Sequence, residues 1–385
     1  MTTTGTPIDA ITVAVYRFPT PEPEADGTLR WDATTAVTAT VHAGNRQGLG
    51  WTYSTAATAR VITDHLAPAI TGRDLMDTPA CWSAMHRACR NLGTRGLVMQ
   101  AVSAVDIALW DLKARVLDVP LAALFGQARD TVPVYGSGGF TTLTDPELAD
   151  QVHGWAAAGC TAMKIKIGQS WGTEIDRDIA RVNTFRELAG PGVDLMVDAN
   201  GGYMTGQARR VGATLDRLGV VWFEEPVSSD DLTGLAAVRA AVHCDVAAGE
   251  YAADLYDVDR LCPVVDCLQL DVTRCGGYTG WLRGAAVAQA HNLRVSAHCA
   301  PALHAPVAAA VPNLRHVEWF IDHARLEPLL VDGAPTVQHG ALQPNDDEPG
   351  HGMTIAARAA HHRAAPPPEQ HDFGTPAEPP NGGSP

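Results

Sequence analysis

The sequence predicts an α/β protein in two parts, an N-terminal α+β domain followed by a barrel of parallel strands. Three observations carry this reading. The chain has 385 residues, and a single core usually stops growing beyond about 250–300 residues, so two structural units are expected. Residues 1–125 read as three strands and then helices, an α+β order. From Val132 onward about eight short apolar strands alternate with helical stretches, the crossover pattern that parallel strands require.

The elements follow in order. Residues 8–17 (IDAITVAVYR) have a strand pattern, and residues 36–43 and 49–54 form a hairpin around GNRQG. Helical patterns cover 56–69, 80–92 and 98–117. In the last, Val102, Val105, Leu109, Leu112 and Val116 recur at spacings of three and four, an amphipathic stripe. The barrel strands are VPVYG, AMKIKIG, VDLMVDAN, VVWFEEP, CDVAAGE, CLQLD, LRVSAH and HVEWF, over 126–330. The helix after the first of them is expected to start with Asp145 as its N-cap and Pro146 at the first helical position. Residues 331–363 form a C-terminal segment. The tail 364–385 is proline-rich and is expected to be disordered.

Composition excludes several classes. The formal net charge of −15 and the lack of a Lys/Arg-rich run argue against a nucleic-acid partner. No stretch reaches about 18 uninterrupted apolar residues, so no membrane helix is expected. The N-terminal MTTTGTPIDAITVAVYRF has neither basic leader nor apolar signal core, and a cytoplasmic location is expected. The eight cysteines form no CxxC pair and read as reduced core residues.

The chemistry concentrates at strand ends. In AMKIKIG, Lys164 and Lys166 lie two residues apart and so share one face of a strand. Two adjacent ammonium groups depress at least one pKa. A lysine base at neutral pH needs a drop of about three units from about 10.4, roughly 4 kcal/mol. The following strands end in Asp198, Glu224, Glu250, Asp271, His298 and Glu318, at intervals of 20 to 27 residues. One end of one barrel, where such barrels place their active sites, therefore collects an ionisable group from each of seven consecutive strands. Asp198, Glu224 and Glu250 cannot converge as ionised carboxylates without a cation, and hard oxygen ligands suit Mg²⁺. A zinc hydrolase would be expected to supply several histidines, and the first strand, VPVYGSGG, has none.

These motifs, AMKIKIG, MVDAN, WFEEP, AAGE, LQLDVTRCGGYTGW, VSAH and VEWF, with AVSAVDIALWDLKA in the preceding helix, resemble the enolase superfamily and its mandelate racemase subgroup over residues 8–360. The resemblance implies a modified TIM-type (β/α)7β barrel under an N-terminal α+β capping domain, with 331–363 returning to the cap. It implies one Mg²⁺ held by Asp198, Glu224 and Glu250, and abstraction of a proton next to a substrate carboxylate. Lys166, with Lys164 beside it, would be the base on one face, and His298, paired with Asp271, the acid/base on the other. Glu318 would hydrogen-bond the substrate carboxylate in its protonated form. Physical chemistry supports these roles: the ionised carbon acid is a dianionic enediolate, which a cation and a hydrogen-bond donor stabilise. A carboxylate partner fixes the tautomer of a histidine.

Several fates of the enediolate stay open. Loss of a β-hydroxyl makes a dehydratase, return of a proton to the other face makes a racemase or epimerase, and a cycloisomerase is the third possibility. Dehydration of a sugar acid ranks first by analogy with the subgroup. A barrel that only binds a ligand is the contrasting class, set aside because the full set of bases is present. Asn200, Arg274, His304, Trp31 and Tyr53 are candidate substrate contacts, with a helix-start histidine as the other reading of His304 and core packing that of Trp31 and Tyr53. The polar stretch 18–31 is expected to be a loop that, with 50–58, closes over the barrel mouth. The partner expected is a small carboxylate, and a homo-oligomer is expected.

Overall fold

The computed structural model describes residues 5–364. The N-terminal sheet has the order β1-β2-β3, with β1 Ala10–Ala25, β2 Arg30–Ala43 and β3 Arg46–Tyr53, all antiparallel. Strands therefore occupy most of the stretch 18–31 expected as a loop. Glu24 pairs with Trp31 and Ala25 with Arg30, beyond a register shift after Pro19. Pro19, Pro21 and Pro23 resemble loop punctuation in the sequence, but β1 is an edge strand, where a missing N–H costs little.

The long helix Leu97–Leu117 lies on this sheet. Val102, Val105, Leu109 and Leu112 are fully buried, as are Ala101, Ala104 and Ala108, so the helix is enclosed well beyond one stripe. Gly48 and Gly50 on β3 allow this. A Cβ at Gly48 would lie 2.3 Å from the Ala108 carbonyl oxygen, and one at Gly50 2.2 Å from that of Ala104. The helical stretch 56–69 is interrupted by a wide turn at Ile62–Leu66, where Ala67 N–H bonds the Ile62 carbonyl. Pro68, which follows, cannot donate to the helix ladder.

Eight parallel strands close the barrel: β4 Val132–Gly138, β5 Ala162–Lys166, β6 Asp194–Asp198, β7 Val220–Glu224, β8 Asp245–Ala248, β9 Cys267–Leu270, β10 Arg294–Ala297 and β11 Leu314–Phe320. β11 pairs with β4, Glu318 facing Tyr135. The helix Asp145–Ala157 has Thr144 as its N-cap, in a capping box with Glu147. Asp145 is thus the first helical residue and Pro146 the second, one position later than expected. Thr144 wins because Glu147 accepts from both its backbone N–H and its hydroxyl, each at 2.8 Å. Met163 and Ile165 on β5 point outward into the core shared with Trp155, Val182 and Phe185. Inside the barrel Tyr135, Met196, Trp222, Ala247 and Cys267 form a packed floor.

The two parts are joined through buried polar contacts. Asp106, on the long helix, accepts hydrogen bonds from the backbone N–H (2.9 Å) and hydroxyl (2.7 Å) of Thr279, at the start of the barrel helix Gly277–Ala290. Burial pushes its pKa up to about 7, against the hydrogen bonds from Thr279. Residues 337–342 form a short hairpin that adds antiparallel to β4 of the barrel, and residues 351–364 run back over the first domain: His351 N–H bonds Asp111, Arg115 bonds the Met353 carbonyl, and Ala364 N–H bonds the Val15 carbonyl. Apart from Ala364, the proline-rich tail lies outside the described residues. No helix among the described residues is long and apolar enough to cross a membrane.

Candidate active site

β5 turns Lys164 and Lys166 inward because Met163, Ile165 and Ile167 take the apolar outer face. Lys164 is fully buried. Its Nζ lies 2.7 Å from both carboxylate oxygens of Glu224, 2.9 Å from Glu318 Oε1 and 3.3 Å from the Tyr135 hydroxyl. Lys166 Nζ donates to Asp198 Oδ2 at 2.5 Å. Burial lowers the pKa of each lysine, but the carboxylates outweigh it and raise both above the ordinary value. The expectation that Lys164 depresses Lys166 is therefore overturned in net direction. Lys164 does pull Lys166 down, but Asp198 acts more strongly.

Asp198, Glu224 and Glu250 are all buried and offer oxygens within 4.8 Å of one another. Burial raises Glu224, Lys164 lowers it, and the balance is a pKa of about 8. Glu250 Oε2 is buried and without a hydrogen-bond partner, as is Glu225 Oε1 next to the cluster. Hard oxygens in excess of their donors, with no soft ligand in the trio, fit Mg²⁺. Trp222 and Gln269 donate to Glu224 Oε2, at 2.9 and 3.1 Å, and orient it.

Across the barrel mouth, His298 Nδ1 lies 2.8 Å from Asp271 Oδ2, while Oδ1 of Asp271 accepts from the N–H and hydroxyl of Thr273. Nε2 of His298 is 3.2 Å from Glu250 Oε2. Burial works against a charge on His298, but Glu250 and Asp271 prevail and raise its pKa. Cys299 and Ala300 follow with φ of 51° and 40°. In that left-handed turn Cys299 N–H donates to Glu318 Oε2 at 2.8 Å, and Ala300 N–H to His323 Nδ1 at 3.0 Å.

Glu318 differs from expectation. Burial raises its pKa, but Lys164, His298 and Lys166 bring it well below the usual value, and Ser137 adds a 2.6 Å hydrogen bond. It is a carboxylate here and not a protonated donor, and the ammonium of Lys164 is the donor beside it.

The remaining candidates separate. Arg274 reaches the site, with Nη1 3.0 Å from Glu250 and Nε 3.3 Å from Asp271. Asn200 stands beside Asp198, its N–H on Oδ1 at 2.8 Å and its side-chain oxygen without a partner. Trp31 sits at the rim, bonded to Glu24 at 3.0 Å and edge-on to Phe140. Tyr53 is set back: it stacks on His323 at 3.7 Å and donates to Glu327 at 3.2 Å. His304 is not available to a ligand. It is fully buried, its Nε2 accepts from Val272 N–H, its Nδ1 bonds the Cys299 carbonyl, and burial lowers its pKa to about 4. Tyr135, Ser137, Gln269 and Cys299 also line the site and are not among the candidates that the sequence offers. For Tyr135 and Ser137 a signal existed, since they alternate on the first strand in phase with each other.

The same domains recur in known proteins. Residues 11–126 match the mandelate racemase / muconate lactonizing enzyme N-terminal domain, and residues 147–359 match the enolase C-terminal domain-like family. The chain belongs to the enolase superfamily. A mandelate racemase/muconate lactonizing enzyme-like protein from Rubrobacter xylanophilus superposes with a TM-score of 0.90 at 44% identity, over 93% of this chain and 100% of that one. The 3,6-anhydro-alpha-L-galactonate cycloisomerase of Streptomyces coelicolor is 32% identical over 90% of this chain and 97% of its own. The L-talarate/galactarate dehydratase of Salmonella typhimurium, solved with Mg and L-lyxarohydroxamate, has a TM-score of 0.86 at 27% identity, each chain being covered to 94%. Superfamily relatives of this chain are thus lyases and isomerases, and several of its structural neighbours hold magnesium.

Proposed function

We propose that the protein removes the proton α to the carboxylate of a sugar acid and then expels a β-hydroxyl, a dehydration. The observation that carries this is the pair of proton-transfer groups, Lys166 on β5 and the dyad of His298 after β10 and Asp271 after β9, on either side of one carboxylate cluster. Asp198, Glu224 and Glu250 would hold Mg²⁺, which would supply stabilisation of negative charge on the substrate carboxylate and would offset the Asp198 charge that keeps Lys166 protonated. Lys166 in its neutral form accepts the α-proton. Lys164 faces the developing oxyanion as a buried ammonium, held in place by Glu224 and Glu318. His298, kept as imidazolium by Asp271 and Glu250, donates its Nε2 proton to the departing hydroxyl, so that water leaves. The enol that remains tautomerises to a 2-keto-3-deoxy acid.

Cycloisomerisation is the second reading, favoured by the near full-length match to the Streptomyces coelicolor enzyme. There the same bases act, and the leaving group is a ring oxygen of the substrate. The deciding experiment screens an acid-sugar library for 2-keto acid formation, with α-proton exchange in D₂O recorded in parallel. Formation of a keto acid with loss of water supports dehydration, and an isomeric product of unchanged mass supports cycloisomerisation. No exchange with any sugar acid would overturn both. A cytoplasmic location and self-association belong to the same reading, the former supported by eight free, buried cysteines.

A further inference from the structure

We infer that the barrel mouth holds a second metal site, distinct from the carboxylate trio, that takes a thiophilic divalent ion such as Zn²⁺ through His298 Nε2, Cys299 Sγ and Glu318 Oε2. These three residues are buried, and each offers one ligand atom within 4.8 Å of the others. Cys299 Sγ is 3.3 Å from His298 Nε2, and that nitrogen is 3.8 Å from Glu318 Oε2. Ligands bound to one tetrahedral zinc at about 2.0–2.3 Å are separated by roughly 3.3–3.7 Å, so the trio needs little rearrangement. The left-handed backbone at Cys299 is what folds a thiol back against the ring of its own neighbour.

The surroundings also suit a ligand set. His298 donates through Nδ1 to Asp271, the carboxylate–histidine pairing that orients zinc-binding imidazoles. Glu318 has Oε1 fixed by Ser137 and Lys164, while Oε2 accepts from Cys299 N–H at 2.8 Å and keeps a second lone pair for a cation. Glu250 Oε2, 3.2 Å from His298 Nε2, belongs to the carboxylate trio, so the fourth tetrahedral position is left to water. Nitrogen and sulfur select against Mg²⁺ and for Zn²⁺ or Co²⁺. Binding releases two protons to solvent, that of the Cys299 thiol and that on Nε2 of the His298 imidazolium, and no redox step is involved. An ion in this position ties up the nitrogen that faces substrate, so the site is inhibitory.

The test titrates the Mg²⁺-saturated enzyme with Co²⁺, an optical stand-in for Zn²⁺. One further ion per chain should bind while Mg²⁺ stays in place by elemental analysis, with a near-ultraviolet thiolate-to-cobalt charge-transfer band. Cys299→Ser and Glu318→Gln should each remove the band or weaken binding by at least about tenfold. Asp271→Asn should weaken it by about 10–100-fold. Thermal stabilisation by Mg²⁺ should persist in Cys299→Ser and reports that this variant is folded. No band in the wild type, a band that survives Cys299→Ser, or Co²⁺ that enters only by displacing Mg²⁺ would each overturn the assignment. Zn²⁺ inhibition of turnover rests on the proposed role of His298, whereas the titration does not, so the two fail separately.

Discussion

The two sides of the barrel mouth are held by different means. On the side of β5, β6 and β7, charge holds charge: Lys164 sits between Glu224 and Glu318, and Lys166 on Asp198, all at side-chain level. On the side of β9, β10 and β11, backbone does much of the positioning. The left-handed turn at Cys299 and Ala300 aims two successive N–H groups at Glu318 and His323, and Thr273 N–H fixes Asp271. The difference teaches where each side is fragile. The first side depends on ionisation and on a cation, the second on the packing that keeps a strained turn in place.

The largest effect expected is on the charged side. Asp198→Ala, Glu224→Ala and Glu250→Ala should each lower kcat/KM by at least about a thousandfold and abolish thermal stabilisation by Mg²⁺. Full turnover after dialysis against a chelator would break the comparison at its root. Next, Lys166→Ala and His298→Asn should each cost about 10²–10⁴ in rate. In D₂O the two should differ. His298→Asn retains α-proton exchange without product, because abstraction survives and departure does not, whereas Lys166→Ala loses both. Wild-type turnover in both variants would show that the proton transfers belong to other residues. Asp271→Asn should resemble His298→Asn but more weakly, since the imidazole remains.

A smaller effect tests the rim. Trp31→Ala on the hairpin arm should raise KM by about three- to tenfold with little change in kcat, because it removes a wall next to Phe140 and not a reacting group. Equal loss in both parameters would move Trp31 into the chemistry.

The smallest effect sharpens the packing side. Burial pushes Glu327, behind the Tyr53–His323 stack, up to about 8, against bonds from Ala302 N–H and Tyr53. An unfolded glutamate titrates near about 4.3, so between those values the folded state binds the proton and the unfolded state does not. Stability from this group is therefore complete at low pH and declines as pH rises toward 8, by at most about 1.4 kcal/mol per unit. Glu327→Gln should flatten that part of the Tm–pH curve. An unchanged slope would show that Glu327 is ionised in the folded protein.

The sequence shows the charged side more fully than the packed one. Lys164, Lys166, Asp198, Glu224 and Glu250 stand out because each is an ionisable group at a strand end, and the two-residue period alone places the lysines on one face. Tyr135, Ser137 and Gln269 are neutral residues inside strands and carry no such mark. The state of Glu318 depends on Lys164, which is remote in sequence, so no local pattern could indicate it. His304 lies in the first turn of its helix, the helix-start reading and not the substrate contact, and its ring is consumed by backbone groups of a turn that only the fold creates. The arm in β1 was hidden for the opposite reason, since its alternating prolines suit an edge strand and a loop equally well.

Asp106 has a consequence for how this architecture can be taken apart. A residue of the first domain serves as the N-terminal partner of a barrel helix, through Thr279. The boundary between cap and barrel therefore falls inside a hydrogen-bonding unit and not in a linker. A chimera that grafts a foreign cap onto this barrel would need to bring an acid to the same place or replace Thr279 along with it. The two domains would have to be exchanged as a matched pair.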